Sequence, residues 1–294
     1  MVSDQAVGEV LLAEAASVPD VSVIVASYNT RDLTLTCLRS VLTQTTGVSF
    51  EIVLVDDCSP DDTVERVRAE LPDVRVFVNE VNQRYAVTNN RGLANARGRY
   101  GLLLNTDTEL AGDAISALVE FMDAHPEVDA AGPKLLNPDG SVQHCIRGFP
   151  GLGVMVAQTL NLHRIWANNP ITNRYYRTDF DYDLDQPVES IGTTAFIIRR
   201  ASWEQYGMLD ERFSWAFCDQ AYCLSLGRQG GSIWYVADAA VFHLGSQSIN
   251  QNAKKEIAAQ HDALRRLYDI YLAERDPRWK RPLVRAGIRV RRRV

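Results

Sequence analysis

The sequence predicts an α/β fold: a mostly parallel sheet flanked by helices, then a smaller mixed region and a C-terminal helix. Three observations carry this. Apolar runs of strand length alternate with helix-period segments from residue 20 to about 136. Three of those runs stop abruptly on polar side chains. The alternation then breaks at the turn signal Asn137-Pro138-Asp139-Gly140.

In order, strands are expected at 21–27, 51–56, 74–79, 100–105 and 128–133. Their continuous apolar character fits parallel strands covered on both faces. Helices are expected at 31–44 (Leu35, Leu38, Val41, Leu42), 61–70, 85–97 and 112–124 (Ile115, Leu118, Val119, Met122). Asp61, Asp62 and Asp113 suit helix N-termini, where a carboxylate meets the positive end of the dipole. Residues 145–188 are aromatic and polar without a period, which predicts loops and short helices. A strand follows over 191–200, a helix over 218–229, and strands over 232–237 and 240–243. An amphipathic helix closes the pattern at 252–274, with Ile257, Leu264, Leu267, Ile270 and Tyr271 on one side. The division is a leader over 1–19, one domain over 20–250 with halves meeting near 136, and a C-terminal helix with a basic tail over 251–294.

Bulk properties bound the function. The 294 residues are 46% hydrophobic and 23% charged, ordinary for a globular chain with a sizeable core. A net charge of −6 argues against nucleic acid as a partner. The charge is uneven: residues 278–294 hold eight Lys/Arg and no acid, so the rest carries −14. Five cysteines without a Cys-x-x-Cys pair predict reduced thiols, neither zinc site nor disulfide framework. The N-terminus lacks the basic region of a signal peptide, and no uncharged stretch reaches spanning length, so a cytoplasmic protein is expected.

The polar strand ends are the chemically informative feature. The run Tyr100 to Leu104 stops on Asn105-Thr106-Asp107; Phe50 to Val55 stops on Asp56-Asp57; Val21 to Ala26 stops on Ser27-Tyr28-Asn29. Ligands of open α/β sheets gather at such carboxyl ends. Asp107 is placed to hold a hard cation bound to a phosphate, because Mg²⁺ takes one or two protein carboxylates and fills its shell with phosphate and water. Each ending alone also reads as an ordinary surface turn, and Asp56 keeps that reading.

Taken with further pieces in order, these motifs resemble the inverting glycosyltransferases of family 2 on the GT-A fold, over about residues 20–250. The pieces are Val23 to Asn29, Val53 to Ser59, Asn82 to Gly92, Leu102 to Asp107, Leu209-Asp210-Glu211-Arg212-Phe213 followed by Asp219, and Val241-Phe242-His243. The resemblance implies a nucleotide-sugar site formed by Ser27, Tyr28, Asn29, Asp57, Arg84, Asn90, Asn105 and Thr106. Asp57 would accept from the pyrimidine imide. It implies a divalent cation, Mn²⁺ or Mg²⁺, on Asp107 and His243, with Asn105 a neutral stand-in for the first acid of the family's D-x-D. Imidazole suits Mn²⁺ better. Asp219 matches the catalytic base, which takes the acceptor's proton in a single displacement with inversion. Trp215, four residues before it, is the acceptor-side candidate. The implied substrates are a dTDP- or UDP-sugar, with rhamnosyltransferase-like members the nearest flavour, and a glycan or lipid-linked acceptor.

Two departures matter. The family segment around the base carries acids where this chain has Cys218 and Ala221, which motivates an alternative: a degenerate member that binds nucleotide sugar or glycan without turnover. Arg84 stands where the family often has Gly, and is expected to reach a diphosphate. A pyrophosphorylase is disfavoured because Ser27 to Arg31 is not a Gly-rich loop, and a Rossmann dehydrogenase because no G-x-G-x-x-G follows the first strand. Cys218 has no identifiable partner for a nucleophilic role. The tail over 278–294 reads either as a solvated basic segment or as a peripheral contact with anionic lipid through Trp279, Leu283, Ile288 and Val290. The oligomeric state is left open.

Overall fold

Alternating apolar side chains on each strand feed two separate cores, and that is what sandwiches the sheet between helices. In the computed structural model, which describes residues 18–149, 151, 153–154, 173, 175–245 and 253–291, β1 (Val21–Ser27) sends Val21, Val23 and Val25 to one face and Ile24 to the other. The strand β4 (Tyr100–Asn105) does the same with Leu102 and Leu104 against Leu103. The leader expected over 1–19 lies almost wholly outside the described residues.

With β2 (Phe50–Asp56), β3 (Arg75–Val78), β5 (Thr108–Leu110), β6 (Ala130–Leu136), β7 (Gln186–Pro187), β8 (Ala195–Arg199) and β9 (Ile233–His243), the described residues form one nine-stranded sheet. Its order is β3-β2-β1-β4-β8-β6-β9-β5, with β7 paired to β9. Strands β3, β2, β1 and β4 are parallel; β8 is antiparallel to β4 and β6; β9 is parallel to β6. Helices α1 (Arg31–Gln44), α2 (Thr63–Glu70) and α4 (Ala114–Ala124) cover one face. On the other lie α3 (Arg84–Asn95), α5 (Arg200–Tyr206), α6 (Cys218–Arg228), α7 (Ala253–Leu267) and α8 (Arg281–Arg291). Asp113 caps α4 by accepting from Ser116 N at 3.2 Å, as expected of an acid there.

Several expectations change. The strands expected at 232–237 and 240–243 are one strand, β9, in which residues 237–239 bulge out between the pairings Pro133–Val236 and Lys134–Ala240. The strand expected from 191 begins only at Ala195. The expected helix to 274 ends as α-helix at Leu267, continuing as a π-turn (Tyr268–Leu272) and a 3₁₀ turn (Ala273–Arg275). The basic tail is not a loose tail over its described part: it is α8, with Val284 and Ile288 buried at 0% and 2% exposure. Ile288 is therefore unavailable to a lipid surface, and the Val290 side chain lies outside what is described.

Candidate active site

The chain leaves β1 for β2 on one side and reaches β4 on the other, so the β1/β4 crevice is a topological switch point, where open sheets bind ligands. Register puts the three polar strand ends level: Ser27 pairs with Asp56, and Ala26 with Asn105. Above them opens a cleft of about 440 Å³, lined by Ser27, Tyr28, Asp57, Asn82, Arg84, Tyr85, Asn105, Thr106, Asp107, Trp215 and His243, among others.

One wall is the start of α3. Its close seat on the sheet needs Gly92, where a Cβ would come 2.3 Å from Ile24 Cγ2. Asp57 Oδ1 accepts from Gln83 N and Asn79 Nδ2, both at 2.7 Å, and Oδ2 accepts from Arg84 N at 2.9 Å. The carboxylate thus ties β2 to the helix N-terminus and keeps spare acceptor capacity on Oδ2. Asp56 is a turn acid, accepting from Ser59 N and Oγ at 2.9 and 2.5 Å. Arg84 is exposed, with φ of 71°, and its guanidinium has no hydrogen bond or ion pair among the described residues. Asn82 Oδ1 is buried and unpartnered at the cleft wall.

The floor is β4 and its continuation. Asn105 Oδ1 accepts from Tyr85 Oη at 3.0 Å, and the same hydroxyl lies 2.9 Å from Thr193 O. Burial pushes the Tyr85 phenol well above its usual range, so it stays a protonated donor. Short strand β5, missed in the sequence, pairs Thr108 with His243 of β9 and so brings that histidine beside Asp107. His243 Nε2 stands 3.4 Å from Asp107 Oδ2, and Nδ1 lies 2.7 Å from Gln143 Oε1. With Gln143 Oε1 accepting, Nδ1 is the donor, and Nε2 is the ring nitrogen turned to Asp107. Among the described residues no group of three or more His, Cys, Asp or Glu could hold a metal. The Asp107–His243 pair does fit a cation that draws its remaining ligands from phosphate and water, as the donor chemistry requires.

Asp219 stands in the first turn of α6, half-buried beside the cleft rather than on its wall. Its Oδ1 accepts from Gln220 N at 2.8 Å. Burial raises its pKa to about 6 despite that bond. Trp215 lines the cleft just before it. The family acids absent at Cys218 and Ala221 have a packing explanation: both positions are buried, at 2% and 0% exposure, and the Cys218 thiol donates to Trp215 O at 3.0 Å. Burial, then the neighbouring Asp219 charge, drives that thiol's pKa far up, against a nucleophilic role.

Two of the expected residues are not on the cleft wall. Asn90 faces away from the cleft: its amide donates to Leu209 O and Glu211 Oε1, both at 2.9 Å, and accepts from Leu209 N at 3.0 Å. Asn29 is off the cleft wall, its N–H donating to Ser59 Oγ at 2.9 Å. Ser27 lines the cleft, but its hydroxyl is also 3.0 Å from Thr34 Oγ1 in α1. Tyr85 and Gln143 were missed by sequence reasoning. Tyr85 reads as one more helix residue, and Gln143 falls in a stretch with no period.

The model of the family described as "Glycosyl transferase family 2" matches residues 22–205. An N-acetylglucosaminyl-diphospho-decaprenol L-rhamnosyltransferase of Mycobacterium tuberculosis is 27% identical over 249 residues, covering 81% of this chain and 79% of its own. The O-antigen biosynthesis protein RfbC of Myxococcus xanthus is 30% identical over 81% of this chain, which spans only 18% of that protein. Among solved structures, the mannosyltransferase PcManGT of Pyrobaculum calidifontis, in complex with GDP-Man and Mn²⁺, superposes with a TM-score of 0.58 at 17% identity, over 93% of this chain and 70% of that one. S. aureus TarS in complex with UDP gives 0.54 at 18% identity, over 90% and 77%.

Proposed function

The chain belongs to glycosyl transferase family 2 and is a glycosyltransferase of GT-A fold, and from that premise we propose that it moves a sugar from a nucleoside diphosphate donor to a hydroxyl of a glycan or lipid-linked glycan, with inversion. The observation that carries the reading is the juxtaposition of Asp107 and His243 with the Asp57-capped start of α3 around one cleft.

In this reading the base stacks on the exposed Tyr28 ring and its imide meets Asp57. The diphosphate lies between the α3 N-terminus, the free Arg84 guanidinium and the Asn105 amide, which Tyr85 holds in place. Asp107 and His243 would hold a divalent cation, which neutralises charge growing on the leaving diphosphate. Asp219 accepts the proton of the acceptor hydroxyl as that oxygen attacks the anomeric carbon; a base of pKa about 6 is largely ionised at neutral pH. Trp215 packs against the acceptor. A rhamnose donor is favoured by the mycobacterial relative, whose name also carries a lipid diphosphate acceptor.

The test is turnover and binding across dTDP- and UDP-sugars, with and without Mn²⁺, for the native chain and Asp107→Ala. Metal-dependent binding of one donor, lost in the variant, supports the reading. Failure to bind any donor overturns it.

A further inference from the structure

Helix α8 and the turn before it carry apolar side chains on two sides, and the fold covers only one of them. Val284 and Ile288 are sealed into the core beside Leu264, Leu267 and Tyr268 of the preceding helical segment. Left outside are Trp279, in the turn that leads into α8, at 70% exposure, and Leu283, in the first turn of the helix, at 51%. Exposed Arg278 and Arg289 flank them, with no ion pair among the described residues. Arg285, also exposed, pairs with Asp269 at 2.7 Å, and Lys280 with Asp276 at 2.8 Å. These pairs clamp the helix to the domain, so its outer face is presented rigidly.

We propose that this outer face docks the protein on an anionic lipid bilayer, with Trp279 and Leu283 entering the interface and the arginines contacting headgroups. An amphipathic indole and an aliphatic side chain ringed by Arg suit that boundary. Charge selects the orientation: residues 278–294 hold eight Lys/Arg and no acid, whereas the rest carries −14, so an anionic surface attracts this corner and repels the others. A second copy of the chain is a poorer occupant. Two exposed apolar side chains offer roughly 300 Å², short of the roughly 600 Å² per partner of a small stable interface.

The docked face also connects to the site. Tyr271, in the π-turn leading to α8, donates to Asp210 Oδ2 at 2.8 Å, and its carbonyl accepts from Arg228 Nη2 at 2.6 Å. Arg266 donates to Arg212 O. These contacts hold the segment that runs into Trp215 and Asp219, so docking fixes the base's orientation to the bilayer. The surface is argued independently of the glycosyl-transfer reading.

The experiment is co-sedimentation of the full chain with phosphatidylcholine vesicles, with or without phosphatidylglycerol. Compared are the native chain, Trp279→Ala with Leu283→Ala, and Arg278→Glu with Arg289→Glu, all checked by circular dichroism. The native chain is expected to pellet only with anionic vesicles and to be released by salt. Each double variant is expected to bind at least about tenfold more weakly. No native binding to anionic vesicles, or variants that pellet like the native chain, would overturn the proposal. So would a dimer in light scattering that the Trp279/Leu283 variant abolishes, because that assigns the face to a second copy. Neither donor nor acceptor enters the assay, so its result is separable from that of the transferase test.

Discussion

The Tyr85 hydroxyl sits between two oxygens, Asn105 Oδ1 at 3.0 Å and Thr193 O at 2.9 Å, and so ties the start of α3 to the Asn105 side chain on the cleft floor. One phenol proton is shared between the two acceptors. In the proposed reading, a neutral amide at this place avoids the repulsion that a second carboxylate would exert on an anion.

Tyr85→Phe releases that constraint. Donor KM is expected to rise about fivefold, the worth of one neutral hydrogen bond of about 1 kcal/mol, with kcat little changed. Titration calorimetry with UDP or dTDP against the native chain checks it.

Gln143 does not itself line the cleft, yet it holds the ring of His243, which does, through the 2.7 Å contact with Nδ1. Gln143→Leu is expected to weaken Mn²⁺-dependent nucleotide binding by about tenfold to a hundredfold, as loss of an outer partner does elsewhere. Asp107→Ala should remove the metal dependence altogether. Binding isotherms over a Mn²⁺ series distinguish the two.

Asp219 gives a pH signature. Its carboxyl is raised from 3.8 to about 6 by burial. The ionised form is the base, so kcat/KM should climb as pH rises through about 6 and level off above it. Asp219→Asn should lower kcat by about a hundredfold to ten-thousandfold. Stability runs the other way. A raised carboxyl pKa means the folded state holds the proton more tightly, so its stabilisation is complete below 3.8 and lost as pH passes 6. The Asn variant, with no charge to bury, should be more stable at pH 8, by up to about 3 kcal/mol, and melt at a higher temperature. Thermal melts at pH 5 and pH 8 (the gain shrinking at the lower pH) check the sign.

Arg84 combines a free guanidinium with a left-handed backbone at φ of 71°. Arg84→Ala and Arg84→Gly should both weaken diphosphate binding about tenfold, the scale of a charge-assisted contact. Only the glycine variant relieves the backbone, and it should be about 1 kcal/mol more stable than the alanine variant. Paired melts and titrations separate the two effects.

Much of this was legible in the sequence because β1, β2 and β4 are buried on both faces and so write unbroken apolar runs ending on Ser27, Asp56 and Asn105. Elements made by pairing rather than by composition were not. The three residues of β5 carry no period, and only their register with β9 makes them a strand. Asp238 breaks the apolar pattern of β9, which hid that the strand continues. For Asn90, the motif gave the position on α3 but not the face, since Leu209 and Glu211 capture its amide from across the fold.

That capture of Asn90 has a mechanical result. Three hydrogen bonds rivet the helix beside the cleft to the segment leading to Asp219. The gap between the two is therefore gauged when the chain folds, before any substrate arrives. An acceptor bound as proposed would have to match a fixed calliper, because shearing the two apart would expose a buried amide that Leu209 and Glu211 satisfy.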